Sequence, residues 1–268
     1  MPRPSTLPEP PPLVIAIDGP AGAGKSTVAR RLAERLGIPY LDTGAMYRAV
    51  GLLAIRAGLT TPLDRQDEVE SSRLAASHTI DLDDEDSALR VLIDGEDVSE
   101  AVRSPECALM ASAVSAVSGV RSALVPAQRK MGLVNGCVME GRDIGSVVFP
   151  DATLKVFLTA GPEERARRRF GDLQQKGSDI TLDEVKEQQR QRDRQDTSRA
   201  DSPLHVARGS VVVDSTGLSL DEVIERLLCE LGTTSAERLD INSTNTIRSR
   251  DPGGLVRGKS APIEEESS

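Results

Sequence analysis

The chain has few of the residues and segments on which several classes of function depend. Of its 268 residues, three are cysteine and two are histidine. The cysteines lie far apart without a CxxC spacing, which is typical of free thiols in a reducing compartment, and so few histidines argue against a histidine-based metal site. No apolar run approaches the roughly 20 residues that cross a bilayer, so we expect no membrane partner.

The sequence also lacks a targeting signal and an excess of positive charge. Residues 1–12, MPRPSTLPEPPP, are rich in proline and contain no apolar core of a signal peptide, which favours a cytoplasmic location. The net charge is −9, whereas nucleic-acid binders rely on clustered Lys and Arg. Residues 165–199 differ, with ten Lys or Arg against seven Asp or Glu. We interpret this segment as binding a small anionic ligand, and expect no nucleic-acid partner.

Strand patterns and helix patterns alternate along the chain. Apolar runs predict strands at 13–17, 38–42, 136–143, 154–160 and 211–216. Between and after them, helical periodicity is found at 25–36, 45–56, 105–130, 162–170, 182–192 and 220–231. This alternation predicts an α/β fold with a three-layer parallel sheet. In such folds ligands bind beyond the carboxyl ends of the strands.

Three segments depart from the alternation. Residues 61–103 contain two strand-like pieces, 78–82 and 89–93, around an acidic turn, which indicates a small β-containing insertion. The composition beyond residue 232 predicts a disordered tail over 232–268. We therefore predict a flexible N-terminal segment over 1–12, one domain over 13–231 and this tail.

A phosphate-binding motif directly follows the first predicted strand. Gly19 and Gly24-Lys25-Ser26 satisfy G-x-x-x-x-G-K-[ST]. Glycines allow backbone N–H groups to surround phosphate oxygens at the positive end of a helix. Lys25 would reach the terminal phosphates, and the Ser26 hydroxyl would join the shell of a Mg²⁺ ion. The predicted ATP site comprises Gly19, Pro20, Ala21, Gly22, Ala23, Gly24, Lys25, Ser26 and Thr27.

The motif identifies the donor alone, because switch GTPases, motor ATPases and small-molecule kinases all contain it. Three further stretches combine arginine with small polar residues: LDTGAMYR (41–48), EGRDIGSVVFPDA (140–152) and RDRQDTSRADSPL (192–204). Guanidinium groups suit bidentate contacts with phosphate oxygens. Several arginines from distant segments therefore indicate two phosphorylated substrates in one cleft, although a single arginine is more often a solvated surface residue.

In this order behind GPAGAGKST, the three stretches closely resemble the bacterial cytidylate kinases over about residues 13–231. The resemblance implies a P-loop kinase core with an NMP-binding insertion at about 61–131 and a short lid at about 163–181. It also implies a monomeric enzyme that transfers the γ-phosphoryl group of ATP, with Mg²⁺, to CMP or dCMP. The CMP site that it implies contains Thr43, Arg48, Ser112, Arg121, Arg142, Asp143, Arg192, Asp196 and Arg199.

The resemblance gives these residues separate roles. Arg48, Arg142 and Arg199 would hold the acceptor phosphate and, with Lys25, act in catalysis. Ser112, Arg121 and Asp143 would bind cytosine, and Arg192 and Asp196 the sugar. Arg165, Arg167, Arg168 and Arg169 fall where the lid begins; of these, Arg165 and Arg169 are the predicted donor-phosphate ligands. The alternative is a solvated helix face beside Glu163 and Glu164.

The chemistry of Asp143 agrees with base recognition. A carboxylate accepts a hydrogen bond from the exocyclic amino group of cytosine, whereas uracil has a carbonyl there. Discrimination by an unpaired buried polar group can reach roughly 10⁴-fold or more. The alternative role for Asp143 is that of a helix N-cap or a loop carboxylate.

Other activities remain open from the residues alone. The nearest alternative is another P-loop kinase, acting on adenylate, uridylate or shikimate, but Asp143 and the RDRQD run favour CMP. A nucleotide-dependent switch would contain a guanine-binding N-K-x-D motif, which this sequence lacks. An intact Gly-Lys-Ser sequence argues against a binding module without catalysis.

Overall fold

A computed structural model describes residues 11–83, 89–175, 177–199 and 201–233. Two sheets are present in these ranges. Five parallel strands form one sheet, in the order β2-β6-β1-β7-β8, and three antiparallel strands form the other, in the order β3-β4-β5. The strands are β1 (Val14–Asp18), β2 (Tyr40–Asp42), β3 (Ile80–Asp83), β4 (Arg90–Ile93), β5 (Glu96–Asp97), β6 (Cys137–Gly141), β7 (Leu154–Thr159) and β8 (Val211–Asp214).

Eight α-helices connect or flank these strands within the described ranges. They are α1 (Lys25–Leu36), α2 (Thr43–Arg56), α3 (Arg65–Ser77), α4 (Pro105–Val114), α5 (Ser118–Val134), α6 (Pro162–Gln175), α7 (Leu182–Ser198) and α8 (220–233). A 3₁₀-helix covers Ala101–Arg103 and a π-helix covers Ile144–Val148. The predicted end of α1 is confirmed, because Gly37 follows it in the left-handed conformation with a φ of 65°.

Helices cover both faces of the parallel sheet. On one face, Ile15 and Ile17 of β1 pack in a buried cluster with Leu32 of α1 and Leu227 of α8. On the other face, Val14, Ala16 and Met139 pack with Ile144 and Val148 of the π-helix, and Val125 of α5 lies against this cluster. Successive apolar residues of β1 thus contribute to opposite layers. The predicted three-layer α/β fold with a parallel sheet is confirmed.

A second apolar core joins α2, α3, α4 and α5 to the small antiparallel sheet. It contains Met46, Leu74, Val91, Val114 and Leu124, all buried. The strand-like pieces predicted within residues 61–103 are present as β3 and β4, and the acidic turn between them falls largely on residues 84–88, outside the described ranges. The part of the chain between β2 and β6 therefore builds a second packed region.

The structure corrects several predicted bounds. Residues 38–39 precede β2 rather than belonging to it, and α2 begins at Thr43 because the Asp42 side chain caps it, accepting from the backbone N–H of Ala45. The single helical stretch predicted at 105–130 is two helices, separated at residues 115–117. Helices α6 and α7 extend past the predicted ends at 170 and 192.

Helix α3 has no counterpart in the prediction. Only Ser71, Leu74 and Ala75 of its residues are buried, so its apolar periodicity is weak. A capping box between Asp64 and Asp67 fixes its start instead.

Parts of the predicted organisation fall outside the described residues. They are most of the N-terminal segment (1–10), Lys176 in the α6–α7 connection, and most of the tail (234–268). Within the described ranges, no single helix is long and apolar enough to cross a membrane; α4 and α5 meet that test only as a pair with a 100° bend.

Candidate active site

The carboxyl ends of three neighbouring strands form the floor of a polar cavity. Register places Asp18 beside Gly141, and Asp42 beside Glu140, so β1, β6 and β2 end together. The cavity has a volume of about 260 Å³. All nine residues predicted for CMP line it, with Ala21, Gly22, Lys25 and Ser26 of the phosphate-binding motif and with Asp42, Gly44, Tyr47, Ala108, Ala111, Ser115, Glu140 and Gly141.

The phosphate-binding motif has the strand–turn–helix context that it requires. It connects β1 to α1, and Gly24 at the helix start has a φ of 89°. Gly19 has a φ of 151°, and a Cβ there would lie 2.0 Å from the carbonyl oxygen of Leu158. The Lys25 ammonium donates to the carbonyl of Pro20 at 2.9 Å. Burial, and next the charge of Arg142, lowers the pKa of Lys25 to about 7.

Guanidinium groups converge on one carboxylate in the cavity. Arg142 donates from Nε to Asp196 at 2.7 Å, and Arg199 donates from Nη2 to the other carboxylate oxygen at 2.5 Å. Burial opposes ionisation of Asp196, but Arg142 and Arg199 outweigh it and lower its pKa. Arg48 pairs with Asp42 at 2.8 Å. In all, six basic side chains and four carboxylates line the cavity, an imbalance that favours an anionic ligand.

The cavity also holds a buried ion pair. Arg121 pairs with Asp143, donates from Nη1 to the carbonyl of Ser115 at 3.1 Å, and stacks over the ring of Tyr47 with 5.5 Å to its centroid. Ser115 also accepts from Arg199 at 3.0 Å, through its hydroxyl. A chain of contacts thus connects the Arg142–Asp196 cluster to Asp143. Ser112, also predicted for the base, donates to the side-chain oxygen of Gln195 at 3.2 Å.

Several lining residues were not among the predicted ones. Two of the arginine-containing stretches include three of them: Asp42, Tyr47 and Glu140. Their position next to predicted site residues could have identified them. Ser115 lies where α4 ends and has no motif around it. Its role is visible only through its contacts with Arg121 and Arg199.

Oxygen ligands suited to a magnesium ion lie beside the helix start. The Glu140 carboxylate accepts a 2.5 Å hydrogen bond from the Tyr40 hydroxyl and also bonds to the Ser26 hydroxyl. Burial, and next the charge of Asp42, raises the pKa of Glu140. No group of three or more His, Cys, Asp or Glu side chains suited to a metal occurs among the described residues. The donors present fit Mg²⁺, which binds through one or two protein oxygens together with phosphates and waters.

The arginines at the start of α6 lie outside the cavity. Arg165 is buried and donates to the carbonyl oxygens of Ala160 and Ala21 and to both oxygens of Asp193. Arg168 donates to Ser215 and, at 3.5 Å, to the carbonyl of Ala23. Arg167 is exposed beside Glu164, and the charge of Arg169 acts on Arg192. Arg165 and Arg168 thus contact the backbone of the phosphate-binding loop.

These features define a P-loop phosphotransferase: a parallel sheet, a phosphate-binding loop that opens on the cavity, and guanidinium groups that converge there. Comparison with known proteins identifies the family. The cytidylate kinase family model matches residues 15–232. The chain belongs to the cytidylate kinase family and is a nucleoside monophosphate phosphotransferase that acts on CMP and dCMP.

Individual relatives have closely similar sequences. The cytidylate kinase of Caldanaerobacter subterraneus is 48% identical over 213 residues, which cover 80% of this chain and 92% of that protein. That of Syntrophotalea carbinolica is 47% identical over 216 residues, covering 81% and 90%. A bifunctional pantoate ligase/cytidylate kinase from Synechococcus is 50% identical over 218 residues, which cover 80% of this chain and 40% of that longer protein.

Proposed function

We propose that the cavity binds CMP or dCMP while the loop from Gly19 to Thr27 binds ATP, so that the γ-phosphoryl group passes directly between the two nucleotides. One observation carries this assignment. Lys25 and Ser26 of the loop line the same cavity as Arg48, Arg142 and Arg199. Two phosphate-binding surfaces that face one space are the arrangement that transfer between phosphates needs.

The roles of the phosphate-binding residues follow from their charges. Lys25 and the loop amides bind the donor phosphates, while Arg48, Arg142 and Arg199 hold the acceptor phosphate in line. That phosphate is already anionic near neutral pH, so the reaction needs no general base. Charge spreads over the oxygens of the transferring group, so catalysis rests on positioning and electrostatic stabilisation.

The nucleoside part of the acceptor occupies the part of the cavity around the Arg121–Asp143 pair. Asp143 accepts a hydrogen bond from the cytosine amino group, and Arg121 and Ser112 contact other base atoms. Arg192 and Asp196 bind the sugar, and Thr43 completes the site. The buried carboxylate of Asp143 favours cytosine over uracil, because uracil would place a carbonyl oxygen against it.

The proposal includes Mg²⁺ bound with ATP. The Ser26 hydroxyl, with the carboxylate of Glu140 beside it, would hold the ion. When bound, Mg²⁺ neutralises charge on the phosphate oxygens. Glu140 also accepts from Tyr40 and so keeps the Ser26 region of the loop fixed at the end of β6.

We further propose that residues 61–131 form the acceptor-binding part and residues 163–181 a lid that closes over ATP. On closure, Arg165 and Arg169 would contact the donor phosphates and help to exclude water. A monomeric state, a cytoplasmic location and the absence of nucleic-acid and membrane partners complete this proposal.

Release of ADP across a panel of acceptors tests the function. The protein is assayed with ATP and CMP, dCMP, UMP, AMP or shikimate. We expect fast ADP release with CMP and with dCMP, and with no other acceptor of the panel. The proposal fails if ATP is consumed no faster with CMP than without an acceptor. Fast release with AMP or shikimate would instead identify one of the alternative kinases.

A further inference from the structure

The π-helix Ile144–Val148 begins directly after Asp143, and its start is unusual. The first backbone N–H groups of a helix have no partner inside the helix. The side chain of the preceding residue commonly accepts from them, and aspartate is among the preferred residues for this role. Asp143 occupies that position, yet its side chain makes no capping hydrogen bond.

The capping group comes instead from another element. Asp18 is the last residue of β1, and its Oδ1 accepts from the N–H of Ile144 at 2.8 Å. Its Oδ2 accepts from the N–H of Gly145 at 2.7 Å. Asp18 and Asp143 are both 4% exposed. These two amides are therefore satisfied inside the protein without any contribution from Asp143.

The consequence for Asp143 is geometric. With the helix start already capped, its carboxylate pairs with Arg121 in the cavity. We propose that Asp18 is a positioning residue for base recognition: it caps the π-helix from β1 and thereby keeps the Asp143 carboxylate in the cavity. This inference rests on the proposed function, in which Asp143 binds the cytosine amino group.

Loss of the Asp18 carboxylate would leave the N–H groups of Ile144 and Gly145 without their acceptor. Buried N–H groups without partners are costly, and Asp143 is the adjacent carboxylate in the usual capping position. It would turn towards the helix start and leave Arg121. Asp18 also directly precedes Gly19, the first residue of the phosphate-binding loop. The same carboxylate thus connects the donor loop to the base-binding segment.

A double-mutant cycle tests the inference. The ratio of kcat/KM for CMP to that for UMP is measured for the wild type, Asp18→Ala, Asp143→Ala and the double variant. We expect Asp143→Ala to remove most of the discrimination, and Asp18→Ala to lower the ratio by about tenfold, within the range for coupled residues. In the Asp143→Ala background, Asp18→Ala should have no further effect on the ratio, because Asp18 acts through Asp143.

Three outcomes overturn the inference, and they are distinguishable. If Asp143→Ala lowers the ratio and Asp18→Ala leaves it at the wild-type value, Asp18 does not position Asp143. If Asp143→Ala itself leaves the ratio unchanged, the proposed base recognition fails and the inference fails with it. A further loss of discrimination in the double variant would show that Asp18 acts independently.

Two additional variants separate positioning from stability. In Asp18→Asn the side chain has nearly the same volume but one acceptor oxygen, so one of the two amides is left unsatisfied. This variant should give an intermediate CMP-to-UMP ratio. It takes the place of Asp18→Ala in the cycle if Asp18→Ala does not fold. Ser219→Ala is the matched control, since Ser219 accepts from the N–H of Glu222 at the start of α8, outside the cavity and outside residues 61–131. It should lower stability and leave the ratio unchanged.

Discussion

Arg121 and Asp143 form an ion pair in which each side chain is only 6% exposed. Arg121 has further partners in the carbonyl of Ser115, to which it donates, and in the ring of Tyr47. Taking one partner away leaves the other charge buried and unpaired. This geometry makes the pair a determinant of stability as well as a candidate base-binding group.

Asp143→Ala should therefore destabilise the protein by about 3 to 5 kcal/mol, the usual cost of breaking a buried pair from one side. The free energy of unfolding in urea measures the loss. Glu225→Ala is the control, because Glu225 and its partner Arg35 are 64% and 43% exposed; it should cost at most about 1 kcal/mol. Equal losses in the two variants would contradict the prediction.

A methyl group at Gly19 should damage the phosphate-binding loop. The φ of 151° disfavours any other residue, and the added Cβ would lie 2.0 Å from the backbone oxygen of Leu158, which cannot move aside alone. We expect Gly19→Ala to raise KM for ATP and lower kcat. Gly232→Ala is the control: Gly232 lies near the end of α8 with no atom within 4 Å of its added Cβ, so the variant should leave both constants unchanged.

Local signals account for the parts of the fold that the sequence predicted well. Three such signals depend only on neighbours in sequence: the apolar β-branched run before Gly19, the phosphate-binding motif, and the four-residue spacing of Val28, Leu32 and Leu36. The structure has β1, the loop and α1 at these positions. Helix α3 was missed because its apolar face is narrow. The break between α4 and α5 was missed because apolar residues continue through it; in the structure α4 packs mainly against α2, and α5 mainly against α3.

The candidate site divides in the same way. Arg48, Arg142, Arg192 and Arg199 lie inside compact motifs, whereas Arg121 rested on a looser likeness; the structure brings all five into one cavity. Ser115 and Asp18 were not predicted, since each acts through contacts between elements that are far apart in sequence: Ser115 with Arg199, and Asp18 with the start of the π-helix. Sequence patterns describe which groups are present, whereas such positioning depends on the tertiary fold.

Lys25→Ala should abolish turnover without unfolding the protein. The ammonium is the loop's single side-chain charge facing the cavity, and loss of one electrostatic contact to a transition state costs about 10² to 10³ in kcat. Steady-state ADP release and circular dichroism measure the two effects. Lys155→Ala is the control, because Lys155 donates to the carbonyls of Pro150 and Arg208 outside the cavity. Near-normal kcat in Lys25→Ala would show that its assignment is wrong.

The lowered pKa of Lys25 makes stability depend on pH. In the folded protein without nucleotide it is about 7, against an ordinary value of 10.5. Between these values the unfolded chain binds more protons at this residue, so its contribution to the free energy of unfolding rises with pH and is least favourable below pH 7. Lys25→Met removes this contribution. The free energy of unfolding of the wild type minus that of Lys25→Met should therefore increase between pH 7 and pH 10.5, as measured in urea titrations. A difference that stays constant with pH would contradict the lowered pKa.

Asp196 should affect acceptor binding through the two arginines that it holds. Its oxygens accept from Arg142 and Arg199, so Asp196→Asn would replace one acceptor oxygen by an NH₂ group that faces a guanidinium, in addition to changing the proposed sugar contact. Both arginines would lose their fixed orientation, and charge-assisted hydrogen bonds of this kind contribute about 1.5 to 3 kcal/mol each. We expect KM for CMP to rise by about tenfold or more, with KM for ATP nearly unchanged, in initial-rate measurements. Glu225→Gln removes an exposed pair with Arg35, outside the cavity and outside residues 61–131, and should change neither constant. A parallel rise in both KM values for Asp196→Asn would indicate general loss of structure and contradict a specific role at the acceptor phosphate.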